Sequence, residues 1–159
     1  KGFTLLEVLV SLAIFIFILA GIYNVLLIGQ KTFSSGMGIV DLQSQSRLFI
    51  SLITKELREA KSLSIVTIDA DDDSIVFSTP NESSISYYRD VADLNDDDLT
   101  NQIIREYPSG TRRVVANNIT SLEFSASGKI VEIRFIASKN ADGRQLQLTS
   151  GTKVEARNE

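Results

Sequence analysis

One carboxylate stands where a carboxylate is costly. Glu7 precedes residues 8–30, which contain no Asp, Glu, Lys or Arg. An acidic side chain at the edge of a membrane helix costs on the order of a few kcal/mol if it enters the core unpaired. Such a group calls for a cation as its partner. The other acidic clusters are runs, Asp69-Ala70-Asp71-Asp72-Asp73 and Asp93-Leu94-Asn95-Asp96-Asp97-Asp98. Spaced carboxylates suit a hard cation such as calcium. Neither run has the EF-hand pattern: the sixth position is Ser74 or Asp98, and the twelfth is Pro80 or Ile104. Both read as solvated turns, and no cofactor is expected; Asp69, Asp71 and Asp73 are the candidate ligands if calcium binds.

Other chemistries are largely excluded by composition. The 159 residues include no His and no Cys. Imidazole bases, thiol nucleophiles, N/S zinc sites and disulfides are therefore out. Carboxylate pairs of the glycosidase kind remain in principle. Here the carboxylates cluster in turn-like runs, so the chain does not read as an enzyme; a membrane-anchored hydrolase is a remote alternative. The net charge of −4 argues against nucleic-acid binding, which normally needs a basic footprint. A nucleic-acid patch needs several cations with interleaved aromatics; Arg112-Arg113, with Lys129, Arg134, Lys139 and Arg144 further on, are more plainly solvated or paired with Glu123 and Glu132.

Residues 8–30 are long enough to span a bilayer as a helix, which needs roughly 20 apolar residues. Gly29-Gln30-Lys31 is a poor match to a secretory cleavage site. Residues 31–62 continue as an amphipathic helix. Leu42, Gln45, Phe49, Leu52, Ile53, Leu57 and Ala60 follow spacings of three and four. Arg47, Lys55, Glu56, Arg58, Glu59 and Lys61 form its wet side. Ser34-Ser35-Gly36-Met37-Gly38 lowers helix propensity, so a weak point or bend is expected there. From residue 3 to about 62 such a helix measures about 90 Å.

Beyond residue 63 the period is two. Strands are expected at Ser64–Ile68, Ser74–Ser78, Ser84–Arg89, Gln102–Tyr107, Arg112–Ala116, Ser121–Ser125, Lys129–Ala137 and Gln145–Glu155. Turn signals fall at 71–73, 80–81, 108–110, 127–128, 142–143 and 150–151. The expected fold is α+β, a long N-terminal helix packed on one antiparallel sheet. The divisions are 1–2, 3–30, 31–62 and 63–159. Tyr87 and Tyr88 are adjacent in a strand, so one faces the core and the other faces out.

Lys1-Gly2, then Phe3-Thr4-Leu5-Leu6-Glu7-Val8 and the apolar run, resemble the class III signal of type IV pilins and pseudopilins. The resemblance implies cleavage by prepilin peptidase after Gly2, as the end of a leader. It implies N-methylation of Phe3 as the new terminus and an assembly role for Glu7. Thr4 can donate a hydrogen bond beside them. Physically, cleavage creates an amine in a low-dielectric layer, where the Glu7 carboxylate of a neighbouring subunit can neutralise it. By the positive-inside tendency the amino terminus is cytoplasmic, and the part after the span lies across the inner membrane. Asn24 stands where major pilins often carry proline, which resembles a minor subunit.

A finer resemblance is to J-type minor pseudopilins and the related W-type minor pilins. It rests on Gln45-Ser46-Arg47-Leu48, residues 52–60, Ile85-Ser86-Tyr87-Tyr88-Arg89, residues 115–119, Ser121-Leu122-Glu123-Phe124, Val131-Glu132-Ile133, and Val154 with Arg157-Asn158. The J-type resemblance implies a tip subunit of a type II secretion pseudopilus that primes polymerisation. Its partners would be I-, K- and H-like minor pseudopilins, the major pseudopilin, prepilin peptidase and the inner-membrane assembly platform. A minor subunit of a type IV or DNA-uptake pilus is the alternative.

Overall fold

The computed structural model describes residues 2, 4–67 and 72–156. Helix α1 runs from Leu5 to Arg58, 54 residues or about 80 Å. Thr4 caps it, its hydroxyl oxygen accepting the Glu7 N–H at 3.3 Å. The helix stops four residues before the expected end. The Glu59 N–H and Ala60 N–H bond back to Glu56 O and Leu57 O, and Lys61 N–H donates to Ser78 O at 2.8 Å. The chain has already joined a sheet by then, and Ala60 is buried as it leaves the helix axis.

At 34–38, where a weak point or bend is expected, α1 continues without a break in its helical assignment. Two glycines cost about 1 kcal/mol each. That is small beside the cooperativity of long helical flanks. Gly38 serves packing instead: a Cβ there would lie 2.7 Å from Leu146 Cδ1. Asn24, in the position often held by proline in major pilins, bonds through Nδ2 to Ala20 O at 2.9 Å.

Eight strands follow: β1 Ser62–Thr67, β2 Asp73–Ser78, β3 Ile85–Asp90, β4 Gln102–Glu106, β5 Arg112–Ala116, β6 Ile119–Ser127, β7 Ile130–Ala141 and β8 Arg144–Glu155. The α+β layout agrees with expectation, but the strands make two antiparallel sheets, β1-β2-β3-β4-β5 and β6-β7-β8, rather than one. The break falls at Asn117-Asn118. Asn118 takes φ 63°, and its left-handed turn redirects the chain before β6.

The helix bridges the two sheets. Gly38, Leu42, Ser46, Phe49, Ile53 and Leu57 form its buried stripe. Phe49 is the centre: its ring meets Phe135 of β7 edge-on at 5.3 Å and Tyr87 of β3 at 6.3 Å. Tyr87 stacks on Phe77 of β2 at 6.0 Å. One aromatic cluster therefore joins helix, first sheet and second sheet. Val131, Ile133 and Phe135 alternate inward from β7, as their period requires.

Ser150-Gly151 reads as a turn in the sequence, yet both residues lie inside β8. Gly151 pairs with Arg134, and a Cβ on it would sit 2.7 Å from the backbone oxygen of Ile133. A backbone oxygen cannot swing away as a side-chain end can. Gly151→Ala is therefore expected to destabilise the fold by about 1–3 kcal/mol. Urea denaturation of the full chain in detergent, followed by tyrosine fluorescence, measures it.

Candidate assembly site on the long helix

The amino end of α1 is bare. Glu7 and the side chains of residues 8–28 are exposed, and this part of the helix is long and apolar enough to cross a membrane. Ser11 and Thr32 fold their hydroxyls back onto Glu7 O and Ile28 O, which satisfies those groups within the helix. Glu7 thus occupies the first turn, where the positive end of the helix dipole favours a carboxylate. Gly2 and Thr4 precede it in non-helical conformation. Lys1 and Phe3 lie outside the described residues.

The other end of α1 is fastened to the sheets by polar clamps. Lys139 Nζ bonds to Asp41 Oδ2 at 2.7 Å, and this bond holds the Asp41 carboxyl below its ordinary range. Gln45 donates to Asp41 and accepts the Asn117 N–H at 2.8 Å. Glu56, expected on the wet side, instead faces the first sheet. It accepts the Tyr87 hydroxyl at 2.9 Å and Arg105 Nε at 2.9 Å. Arg105 also pairs with Glu82. Burial first, and then the Glu56 carboxylate, pushes the Tyr87 phenol well above its usual range. A signal for this clamp was present in the sequence. Glu56 follows Ile53 by three and Phe49 by seven, at the border of the buried stripe.

The remaining candidates are tied into the fold. Tyr87 is buried, whereas Tyr88 faces the other way and donates to Glu106 at 3.0 Å. Arg112 pairs with Glu106 at 3.5 Å, not with Glu123 or Glu132. Glu132 takes both Arg134 and Lys153. Arg89 pairs with Asp72, and the Asp73 carboxylate accepts the Phe124 N–H at 2.8 Å. Asp69 and Asp71 lie outside the described residues. Asp93 accepts the backbone N–H groups of Asn95, Asp97 and Asp98, so the second acidic run is a loop closed on its own first carboxylate. Among the described residues no three Asp or Glu side chains converge as metal ligands.

The family model of the prokaryotic N-terminal methylation motif matches residues 1–23. That match supports a type IV pilin-like protein. It covers the signal and most of the apolar run, the bare part of α1. No curated protein and no solved structure matches the chain. The pilin-like signal and the exposed apolar helix fit a membrane-anchored protein that is processed and then assembles with other pilins.

Proposed function

We propose that this pilin-like chain is a minor subunit of J type, placed at the tip of a type II secretion pseudopilus, where it primes polymerisation. Prepilin peptidase cuts after Gly2 and methylates the Phe3 amine. Glu7 then neutralises the amine of an adjacent subunit and sets the register of insertion, with Thr4 as a hydrogen-bonding neighbour. Before assembly the chain sits in the inner membrane, amino end cytoplasmic and β domain outside. Its partners are I-, K- and H-like minor pseudopilins, the major pseudopilin and the assembly platform.

One observation carries this reading. A carboxylate opens a helix whose first part, residues 8–30, is bare and free of charge and whose far half is locked to a folded head. The exposed apolar surface has to be covered, first by lipid and then by neighbouring helices. Glu7 adds the single charge that can fix how they align.

Co-purification of the full chain in detergent with I- and K-like subunits tests the secretion role. A defined heteromeric complex is the expected result. Absence of a complex, with binding to double-stranded DNA near physiological salt, contradicts it and favours an uptake pilus.

A further inference from the structure

The outward face of α1 changes chemistry along its length. At about 100° per residue, the exposed side chains Phe33, Met37 and Val40 point away from the buried stripe. Ser44, Arg47, Leu48, Ser51, Lys55 and Arg58 continue the same line, and all are exposed. An apolar strip therefore turns basic, with Leu48 left 63% exposed in its middle. Asp41 and Glu56 are already paired with Lys139 and Arg105, which leaves Glu59, exposed beside Lys55 and Arg58, as one carboxylate against three cations on this face. Arg47, Lys55 and Arg58 make no ion pair among the described residues.

Two grooves flank this ridge. One, of about 470 Å³, lies between α1 and β8, with Arg47, Lys55, Arg58, Glu59 and Thr152 in its walls. The other, about 480 Å³, lies between α1 and β5 and adds Arg113 beside Leu48, Val114 and Val115. The face is thus basic on a chain of net charge −4.

We infer that this face docks the α-helix of a different subunit, one whose apolar strip gives way to carboxylates at the level of Arg47, Lys55 and Arg58. The inference rests on the filament reading and adds to it a rule of partner choice. Leucine-sized side chains enter beside Leu48, while Glu or Asp at helical spacing reach the three cations and Arg113. A second copy of this chain fits poorly. Parallel helices in register set Arg47, Lys55 and Arg58 against their own counterparts, and like charges repel. Lipid headgroups are out of reach. Arg47 lies 17 residues past Gln30, the last residue of the uncharged run, or about 25 Å along the helix, whereas the headgroup layer adds only about 6 Å per side.

The test uses the full chain in nanodiscs of zwitterionic lipid and two synthetic amphipathic helices. The peptides share a leucine strip and differ only in carrying Glu or Lys beside it. The Glu peptide is expected to bind at least about tenfold more tightly at low salt, with the difference shrinking at high salt. Arg47→Gln/Lys55→Gln/Arg58→Gln should abolish the preference, and the corresponding triple Glu variant should invert it. All three side chains are exposed, so far-UV circular dichroism should be unchanged. Equal binding of the two peptides, or no binding of either, overturns the inference. So does an abundant disulfide-linked dimer of Ser51→Cys in membranes, which would show self-pairing; the chain has no other cysteine. Cleavage and methylation, read on the same preparation, report separately on the filament reading. Intact processing without a peptide preference sinks this inference alone.

Discussion

Glu7→Ala should leave processing intact and remove the chain from the filament. In the proposed function the peptidase cuts after Gly2, five residues away, and alanine is a strong helix former. What is lost is the anion that, in the proposed assembly, meets a neighbour's amine in a medium of low dielectric. Leaving one member of a buried ion pair alone costs about 3–5 kcal/mol, or at least a hundredfold in recruitment. Glu7→Gln separates charge from shape, because it keeps the size and a hydrogen-bonding end but not the anion. Both variants should accumulate in the membrane as processed chains and be nearly absent from sheared filaments. Incorporation of either at the level of the unaltered chain would contradict charge pairing.

Phe49→Ala should be the most damaging change in the head. Phe49 is fully buried and touches an aromatic ring on each sheet. Truncation removes the transfer free energy of the ring and leaves a cavity between three layers that cannot all close in. About 3–5 kcal/mol is expected. That is a large share of the 5–15 kcal/mol typical of whole domains. Phe49→Leu, closer in volume, should cost clearly less. Urea denaturation of the full chain in detergent distinguishes them, and a loss under about 1 kcal/mol for the alanine variant would contradict the packing described here.

Much of this architecture is written in local patterns. Each expected strand has a counterpart among the described residues, Ile68 of the first lying outside them, because alternation around Ile75 and Phe77 or Val131 and Phe135 is a direct image of a half-buried sheet. The buried stripe of α1 likewise follows from three-and-four spacing. What failed was long-range. Nothing in the sequence near Asn117-Asn118 says that the ladder ends there, because pairing depends on distant strands. Gly38 and Gly151 look like breakers in isolation, yet each admits a neighbour that only the folded chain brings close, Leu146 and the Ile133 carbonyl. Glu56 looked solvated for the same reason: Arg105 and Tyr87 are 49 and 31 residues away in sequence. The amino-terminal motif is the opposite case. Gly2, Thr4 and Glu7 adjoin the apolar run in sequence, and the methylation-motif family model matches residues 1–23, so residue order alone shows the pilin-like signal.

The most direct test is the mass of the mature amino terminus. The full chain is expressed in cells with and without prepilin peptidase, purified from membranes and analysed by mass spectrometry, with Gly2→Val in parallel. The account predicts a chain beginning at Phe3 and bearing one added methyl group, only where the peptidase is present and only with Gly2. A chain that keeps Gly2 attached to Phe3 in the presence of the peptidase would contradict it.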